Sequence, residues 1–411
     1  MYRARPMQQG RQAECVNMSA TKKPDLAYRR VVALTAALSL SYLGVSMSLS
    51  TVPVYVVHGL GLDNAFGGLA VGIAFLSTIL TRPHAGARAD QLGGKNSMQR
   101  GLIVYAVAGL VCLLASWSRL TVWGGYVVLI AGRLLLGLGE SLTMVGAIQW
   151  GLGMMGPERS GRVMALVGMG LYGSLAVGAP LGLALLHLLG FAGLMAVCTV
   201  LPLLGLIVIR RFPAVTPPTG QRESIWNILG RIWRAGAVLG MAGIGFASLG
   251  SFFALYFLSR GWPHAGLGLA FFGIGFILAR LLGGHLPDQL GATPIAIASL
   301  IVEASGQYLL WLAPGPWTAL AGAFLTGLGC SLVYPAMGSE VVKQVPAHLR
   351  GTAMGGFVAF QDLSYGVTGP LVGLLADYSG YSVVFLIGAL AATLGLAMAF
   401  RAHQLARIAT A

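Results

Sequence analysis

The chain has 411 residues, 56 % of them hydrophobic and only 9 % charged, and its 26 Lys and Arg outnumber 12 Asp and Glu for a formal net charge of +14. An ordinary soluble domain carries about 25 % charge, so this composition lacks the polar skin that a water-exposed globule needs and excludes one. Sixty glycines with no three-residue period exclude collagen and suit helices packed closely in lipid.

The first thirty residues hold seven Lys or Arg and read as a disordered, cytoplasmic basic tail. The apolar run behind them is longer than the roughly 7 to 15 residues of a signal-peptide core and reads as a first membrane span. Runs bounded by Gly, Pro or charge fall at 31–57, 65–83, 97–117, 122–151, 162–187 and 191–209, and six more at 236–258, 265–285, 293–313, 317–339, 352–376 and 381–400. Each is long enough to cross about 30 Å of hydrocarbon at roughly 1.5 Å per residue. Backbone amides in lipid must bond within their own segment, and none of these runs alternates as barrel strands do. The expectation is an all-α polytopic membrane protein of twelve transmembrane helices.

With both termini cytoplasmic, 23 of the Lys and Arg lie inside and only Arg119 and Arg260 outside, with Arg133 within a span. The positive-inside rule therefore places both termini in the cytoplasm. The bases fall between apolar runs instead of clustering on one face, which excludes a nucleic-acid partner. Cys15, Cys112, Cys198 and Cys330 lack paired spacing, so neither a disulfide framework nor a metal site is expected.

The one long interior connection, 210–235, holds Pro213, Pro217, Pro218, Gly220 and five arginines, and separates an N-terminal bundle at 31–209 from a C-terminal bundle at 236–400; 1–30 and 401–411 are tails. Its second part, Ser224 to Gly236, is amphipathic; it reads either as an interfacial helix or as the early start of the seventh span. Across the halves, Arg82, Gly86, Asp90, Gln91, Leu92 and Gly93 recur 198 positions later as Arg280, Gly284, Asp288, Gln289, Leu290 and Gly291. At an offset of 190, Gly137, Gly139, Ser141 and Leu142 recur as Gly327, Gly329, Ser331 and Leu332, and Pro180 and Leu181 as Pro370 and Leu371. Three ordered matches point to a duplicated six-helix unit, an architecture of transporters that hold their ligand between the halves.

At these residues the chain resembles the major facilitator superfamily over about 30–402. The stretch from Gly86 through Asp90 and Gly93 to Lys95 is similar to the family's loop motif, with Gln91 and Gly94 where arginines are usual. Arg133 to Ser141 resembles a second motif common in proton-coupled members, with Leu136 in place of Gln and Glu140 in place of a small residue. Gly178 and Pro180 form a degenerate antiporter bend motif, and Gly369 and Pro370 match it better in the eleventh helix. The likeness extends to bacterial efflux-type permeases. It implies a major facilitator fold of two pseudo-symmetric six-helix bundles in a bacterial inner membrane.

Ionisable groups at membrane depth single out Arg133, Glu140, Glu303 and Asp362, since a charge there costs roughly 2.5 to 3.5 kcal/mol even on the lenient scale. Arg133 and Glu140, seven residues apart, share a face of the fourth helix. Carboxyls kept from water are candidates for proton exchange, and hydrogen bonds between neighbouring helices are the structural alternative, above all for Glu303. Asp90 and Asp288, with Arg82, Gly86, Gly93, Lys95, Arg280 and Gly284, form a repeated turn suited to gating. Tyr42 and Ser46, on a polar stripe with Ser39 and Ser50, and Gln361 and Tyr365 beside Asp362 are expected to line the cavity; small-residue packing competes for the stripe.

No GxSxG, HExxH or Walker sequence occurs, which disfavours an intramembrane hydrolase or an ATP-driven pump. The expectation is a monomeric secondary transporter, not an enzyme, exporting a small organic solute by proton antiport without a cofactor. Its partners are the solute, protons and lipid; an uncoupled facilitator or a proton symporter is the rival.

Overall fold

A computed structural model describes residues 9–117, 119–156, 159–215, 225–345 and 350–410; among these the side chains of 9–25, 160–161, 165, 225–228, 288, 350–352 and 405–410 are not described. The described chain is helical without strands. The helices are α1 (Gln9–Val54), α2 (Asn64–Leu92), α3 (Gly94–Leu114), α4 (Val122–Met155), α5 (Ser160–Arg210) and α6 (Ile225–Ser259). They are followed by α7 (Leu267–Gly283), the short α8 (Leu286–Leu290), α9 (Ala292–Trp311), α10 (Pro316–Lys343), α11 (Arg350–Ser379) and α12 (Ser382–Thr410). Five residues of π-helix, Tyr55–Gly59, extend α1.

Nine helices among the described residues are long and apolar enough to cross a membrane. One of them, α5, is two helices joined at Gly190, where φ is +66°, and the shorter α7 is also apolar. That makes eleven apolar segments against the twelve expected, and α11 is the remaining one: it is 30 residues long but carries Gln361, Asp362, Asp377 and several hydroxyl groups. The basic stretch read as a disordered tail is helical from Gln9, and the amphipathic part of the linker is continuous with α6 from Ile225. The turn motif ends both α2 and α8 on a left-handed glycine, Gly93 at φ +84° and Gly291 at φ +92°. A side chain is strained in that region, which is why glycine stands at both repeat positions.

Within the first half α1 packs on α5, α3 on α4 and α5, and α2 on α4; within the second, α9 packs on α10 and α12, α10 on α7, and α6 on α11 and α12. The repeat read from the sequence is also a repeat of contacts. Ser141 Oγ donates to Thr78 O at 2.8 Å, and Ser331 Oγ donates to Phe276 O at 2.8 Å, so the donors are 190 apart and the acceptors 198. Likewise a Cβ on Gly137 would collide with Ala74 O, and one on Gly327 with Phe272 O. Close backbone approach at small residues is what drives helix association where lipid tails are as apolar as leucine.

Between the halves α2 meets α11, α5 meets α7 and α1 meets α6. These contacts concentrate at the end of the molecule bearing the α1–α2 connection, here the far end. There one cluster gathers Leu49, Val71 and Leu175 of the first half with Phe246, Phe253 and Phe276 of the second, and another joins Val54 to Phe252, Val372 and Val384. Towards the end bearing the chain termini each half keeps a separate core, around Leu34, Leu102, Trp150 and Ile209 in one and around Ile232, Val333, Val341 and Phe357 in the other. A polar latch closes the far end. Asp377 at the end of α11 accepts from Asn64 N at 3.1 Å, Asn64 Nδ2 at 2.7 Å and Ala65 N at 3.3 Å, capping the N-terminus of α2. Tyr381 Oη donates to Asn64 Oδ1 at 2.8 Å.

Gly137→Ala is expected to lower the stability of the purified protein by about 1 to 3 kcal/mol by overpacking the α2–α4 crossing. Gly168→Ala, where a Cβ meets nothing within 4 Å, is expected to be neutral or stabilising by up to about 1 kcal/mol. Thermal unfolding in detergent checks both.

Candidate functional site

Where the halves begin to separate, polar side chains from five helices converge. Arg82, near the end of α2, reaches across to Asp362 of α11, Nη2 to Oδ2 2.6 Å, with side-chain exposures of 22 % and 9 %. Glu140 of α4 stands within electrostatic range of Asp362, Arg82 and Arg133. Tyr42 of α1 lies within range of Glu140, Tyr172 and Asp362, and Tyr334 of α10 within range of Arg82, Arg280 and Asp362. Tyr365 of α11 packs edge-on against Phe75 of α2, ring centroids 5.0 Å apart, and beside Phe246 of α6 at 4.9 Å. Aromatic walls with a few charged groups are the makeup of a small-molecule site.

The two-fold repeat makes the site asymmetric. Position 362 corresponds at the 190 offset to Tyr172, and Arg82 at the 198 offset to Arg280. On this second interface Tyr172 of α5 stacks on Phe276 of α7, centroids 3.4 Å apart and 19° between planes. Arg280 hydrogen-bonds within its own half, Nη2 donating to Ser331 O at 3.0 Å, with its guanidinium 5.3 Å from the Phe276 centroid and within electrostatic range of Tyr172. One interface is thus held by a charge pair and the other by stacked rings.

Other residues singled out in the sequence are placed differently. Arg133 is 2 % exposed and turns into the N-terminal half, Nε donating to Ala70 O at 2.8 Å and Nη1 to Ser48 Oγ at 2.9 Å. It forms no ion pair with Glu140, because seven residues set the two about 10 Å apart along the axis. Ser46 is fully buried and donates to Leu175 O at 3.2 Å, so it ties α1 to α5 where it was expected to line the cavity. Gln361 packs towards Gly243 of α6. Glu303 is fully buried inside the C-terminal half, and the central groups do not reach it.

Gly178 packs on Ser46, while Pro180 faces Gly266, and Gly369 with Pro370 faces Gly68, so the two prolines mark equivalent crossings between the halves. In the turn motif Asp90 Oδ1 accepts from Gln149 Nε2 of α4 at 2.9 Å, a contact within one half. Lys95 Nζ donates to Arg210 O at 3.1 Å and Phe212 O at 2.5 Å, closing the C-terminus of α5 where a cation complements the helix dipole. A Cβ on Gly86 would meet nothing, and Gly284 caps α7. The side chain of Asp288 lies outside the described residues. Tyr172 and Tyr334 escaped the sequence reading. Tyr172 was within reach of it, since the repeat offset applied to Asp362 leads there; Tyr334 carries no such signal, its counterpart being Met144.

Two duplicated helical halves meeting at a polar centre are the architecture of a membrane transporter, and the chain belongs to the Major Facilitator Superfamily, whose sequence profile matches residues 34–288 and 235–407. It is 41 % identical over 365 residues to an uncharacterized MFS-type transporter of Salmonella typhimurium, covering 89 % of this chain and 94 % of that one. Similar to it as well is an uncharacterized MFS-type transporter of Burkholderia pseudomallei, 38 % identical over 379 residues, covering 91 % and 92 %. Among solved structures, a bacterial homologue of the human lysosomal transporter Spinster, in an inward-facing and occupied conformation, superposes with a TM-score of 0.74 at 14 % identity, over 93 % of this chain and 97 % of that one. A mutant of the nucleoside transporter NupG superposes with a TM-score of 0.72 at 14 % identity, over 90 % and 99 %. These likenesses establish the fold.

The Arg82–Asp362 pair gives a direct test of the cross-half contact. Arg82→Gln alone leaves a buried carboxylate without its partner and is expected to destabilise the protein more than Arg82→Gln with Asp362→Asn. A double-mutant cycle on thermal stability should return a coupling of about 1 to 3 kcal/mol.

Proposed function

We propose that the protein exports a small organic solute by alternating access of its two halves, in exchange for protons, with the centre around Arg82, Glu140 and Asp362 as the coupling site. The observation that carries this reading is the Arg82–Asp362 ion pair, made by one residue from each half. A carboxyl that is a cross-half partner of arginine when ionised loses that attraction when it takes up a proton. Proton arrival then weakens the α2–α11 contact, and a solute bearing a cationic or hydrogen-bonding group competes for the same oxygens. Glu140 in the same field supplies a second acceptor, and the aromatic rings of Tyr42, Tyr172, Tyr334 and Tyr365 supply apolar area for the solute. Arg133 serves the site by holding α1, α2 and α4 together.

The asymmetry of the inter-half contacts supports alternating access. The halves share clusters at the far end and keep separate cores at the termini end, a packing suited to opening at one face while the other stays shut. The distribution of Lys and Arg supports a cytoplasmic position for the termini end, which makes this an inward-open state in a bacterial inner membrane. In this state Asp90 is engaged by Gln149 within its own half. Asp90 and its repeat partner Asp288 are the groups that would hold the opposite, cytoplasm-closed state. The halves are the two bundles at 31–209 and 236–400, joined by 210–235, and the transporter works as a monomer.

Three measurements test the reading. In proteoliposomes, after a solute screen has supplied a substrate, Glu140→Gln and Asp362→Asn are each expected to reduce accumulation driven by a pH gradient at least about tenfold while leaving insertion intact. If both variants still concentrate solute, the coupling assignment is wrong, and transport indifferent to the gradient in the wild type favours the uncoupled facilitator. Cysteines placed near Gly61 and near Gly94 should change their reactivity in opposite senses when the cycle is locked; parallel changes contradict rocking. Asp90→Asn should slow transport more than it lowers protein abundance.

A further inference from the structure

Arg82 and Arg280 occupy equivalent positions 198 apart, and among the described residues only Arg82 of the two is paired with an acid. Arg82 takes its carboxylate from the opposite half, from Asp362 of α11. The position equivalent to Asp362 at the 190 offset is Tyr172 of α5, which in turn belongs to the half opposite Arg280. A phenol stands where the acid would be. The titratable groups in electrostatic range of Arg280 are Tyr172 and Tyr334, and no carboxylate is among them.

Packing fixes where this guanidinium sits. Nη2 donates to Ser331 O at 3.0 Å, and the group lies 5.3 Å from the Phe276 centroid. Ser331 corresponds to Ser141, the neighbour of Glu140, so Arg280 reaches the depth of Glu140 in the opposite half. A guanidinium carries five N–H donors in a planar fork, and one bond to a carbonyl leaves most of that fork unused. A cation held at this depth without an anion is unfavourable.

Open space adjoins it. α5 and α7 touch where a Cβ on Gly273 would meet Ala176 and where Tyr172 stacks on Phe276, so the two helices run antiparallel in a defined register. One turn further along that register, Gly168 and Met169 come opposite Arg280. A Cβ on Gly168 would meet nothing within 4 Å, so the crossing has opened by this level. It opens towards the termini end, where each half keeps its own core.

We propose that Arg280 is the anion-binding group of the central site and that the solute is an organic carboxylate, whose acid group takes at Arg280 the place that Asp362 takes at Arg82. The inference rests on the reading that the solute enters the cleft between the halves, and it adds the chemical class of that solute. With Arg82 taken by Asp362, and Arg133 by Ala70 O and Ser48 Oγ of its own half, Arg280 is the central arginine left for a ligand. A carboxylate matches the guanidinium fork with two parallel N–H···O bonds. The hydroxyls of Tyr172 and Tyr334 are further donors in the same field, and the neighbouring rings suit an aromatic or apolar body.

The test follows thermal unfolding of the purified full-length protein in detergent at about pH 7, where carboxyl groups are ionised. The probes are indole-3-acetate, 3-phenylpropionate and benzoate, each beside its uncharged amide, with chloride and inorganic phosphate as simple anions. A carboxylate that binds the folded state is expected to raise the midpoint by about 2 °C or more at saturation, and its amide is not. Arg280→Gln should abolish the rise, and Arg280→Lys, which keeps the charge and loses the fork, should weaken the apparent affinity about tenfold. Tyr172→Asp supplies the acid from within the protein and should also remove the response, which keeps the test open if Arg280→Gln fails to fold. A wild type indifferent to every carboxylate probe, equal rises with acid and amide, or a response that Arg280→Gln and Tyr172→Asp both retain overturns the proposal. So does a rise with chloride or phosphate as large as with the carboxylates. Binding is read here without a pH gradient, so a carboxylate response stands even where transport proves uncoupled, and a missing one leaves the coupling at Arg82 and Asp362 to its own measurements.

Discussion

Hydrocarbon offers a buried charge no water, and the structure depends on how each ionisable group at membrane depth is compensated. Arg82 and Asp362 compensate each other, and because one sits on α2 and the other on α11, the neutralisation of both requires the two halves to be together at that level. Arg133 follows the same constraint within one half, finding a carbonyl and a hydroxyl on neighbouring helices. Glu303 has the Cys330 thiol beside it. The charged residues at this depth thus include a contact between the halves and a brace within one of them.

Duplication explains the frame on which these groups sit. The same serine-to-carbonyl bonds and the same glycine crossings occur in both halves, so the backbone arrangement is close to two-fold. The side chains at the centre break that symmetry. A charge pair joins α2 to α11, while Tyr172 stacked on Phe276 joins α5 to α7. An ion pair responds to protonation and a stacked pair does not, so the two interfaces respond to different inputs although their backbones correspond.

At the far end Asp377 ends one helix and caps another in the opposite half, with Tyr381 on the same asparagine. This places a specific polar contact on top of an apolar seal. The seal alone excludes water without setting a register; the cap orients α2 against α11 and aims Arg82, further along α2, at Asp362. Helix-terminal capping at one surface is in this way connected to the charge pair deeper in the bundle through a single rigid helix.

The helical membrane class, the duplicated halves and the family were legible in the sequence, because they rest on local quantities: run lengths of apolar residues and the spacing of Gly, Pro and charge. Gly93 and Gly291 are examples, since a left-handed helix end demands glycine wherever the turn lies. Asp362, Tyr42 and Tyr365 stood out in the sequence as polar groups at a depth where they need a reason, and the structure brings them near one another. Which partner each group takes was decided by the tertiary structure alone. Arg82 looked like part of a loop motif and reaches into the centre instead; Arg133 and Glu140 shared a helical face and are not paired; Ser46 lay on a polar stripe and is sealed between α1 and α5. The physical reason is that helical spacing tells which residues share a face, while the crossing angles and offsets between helices, set by many small packing contacts, decide what that face meets.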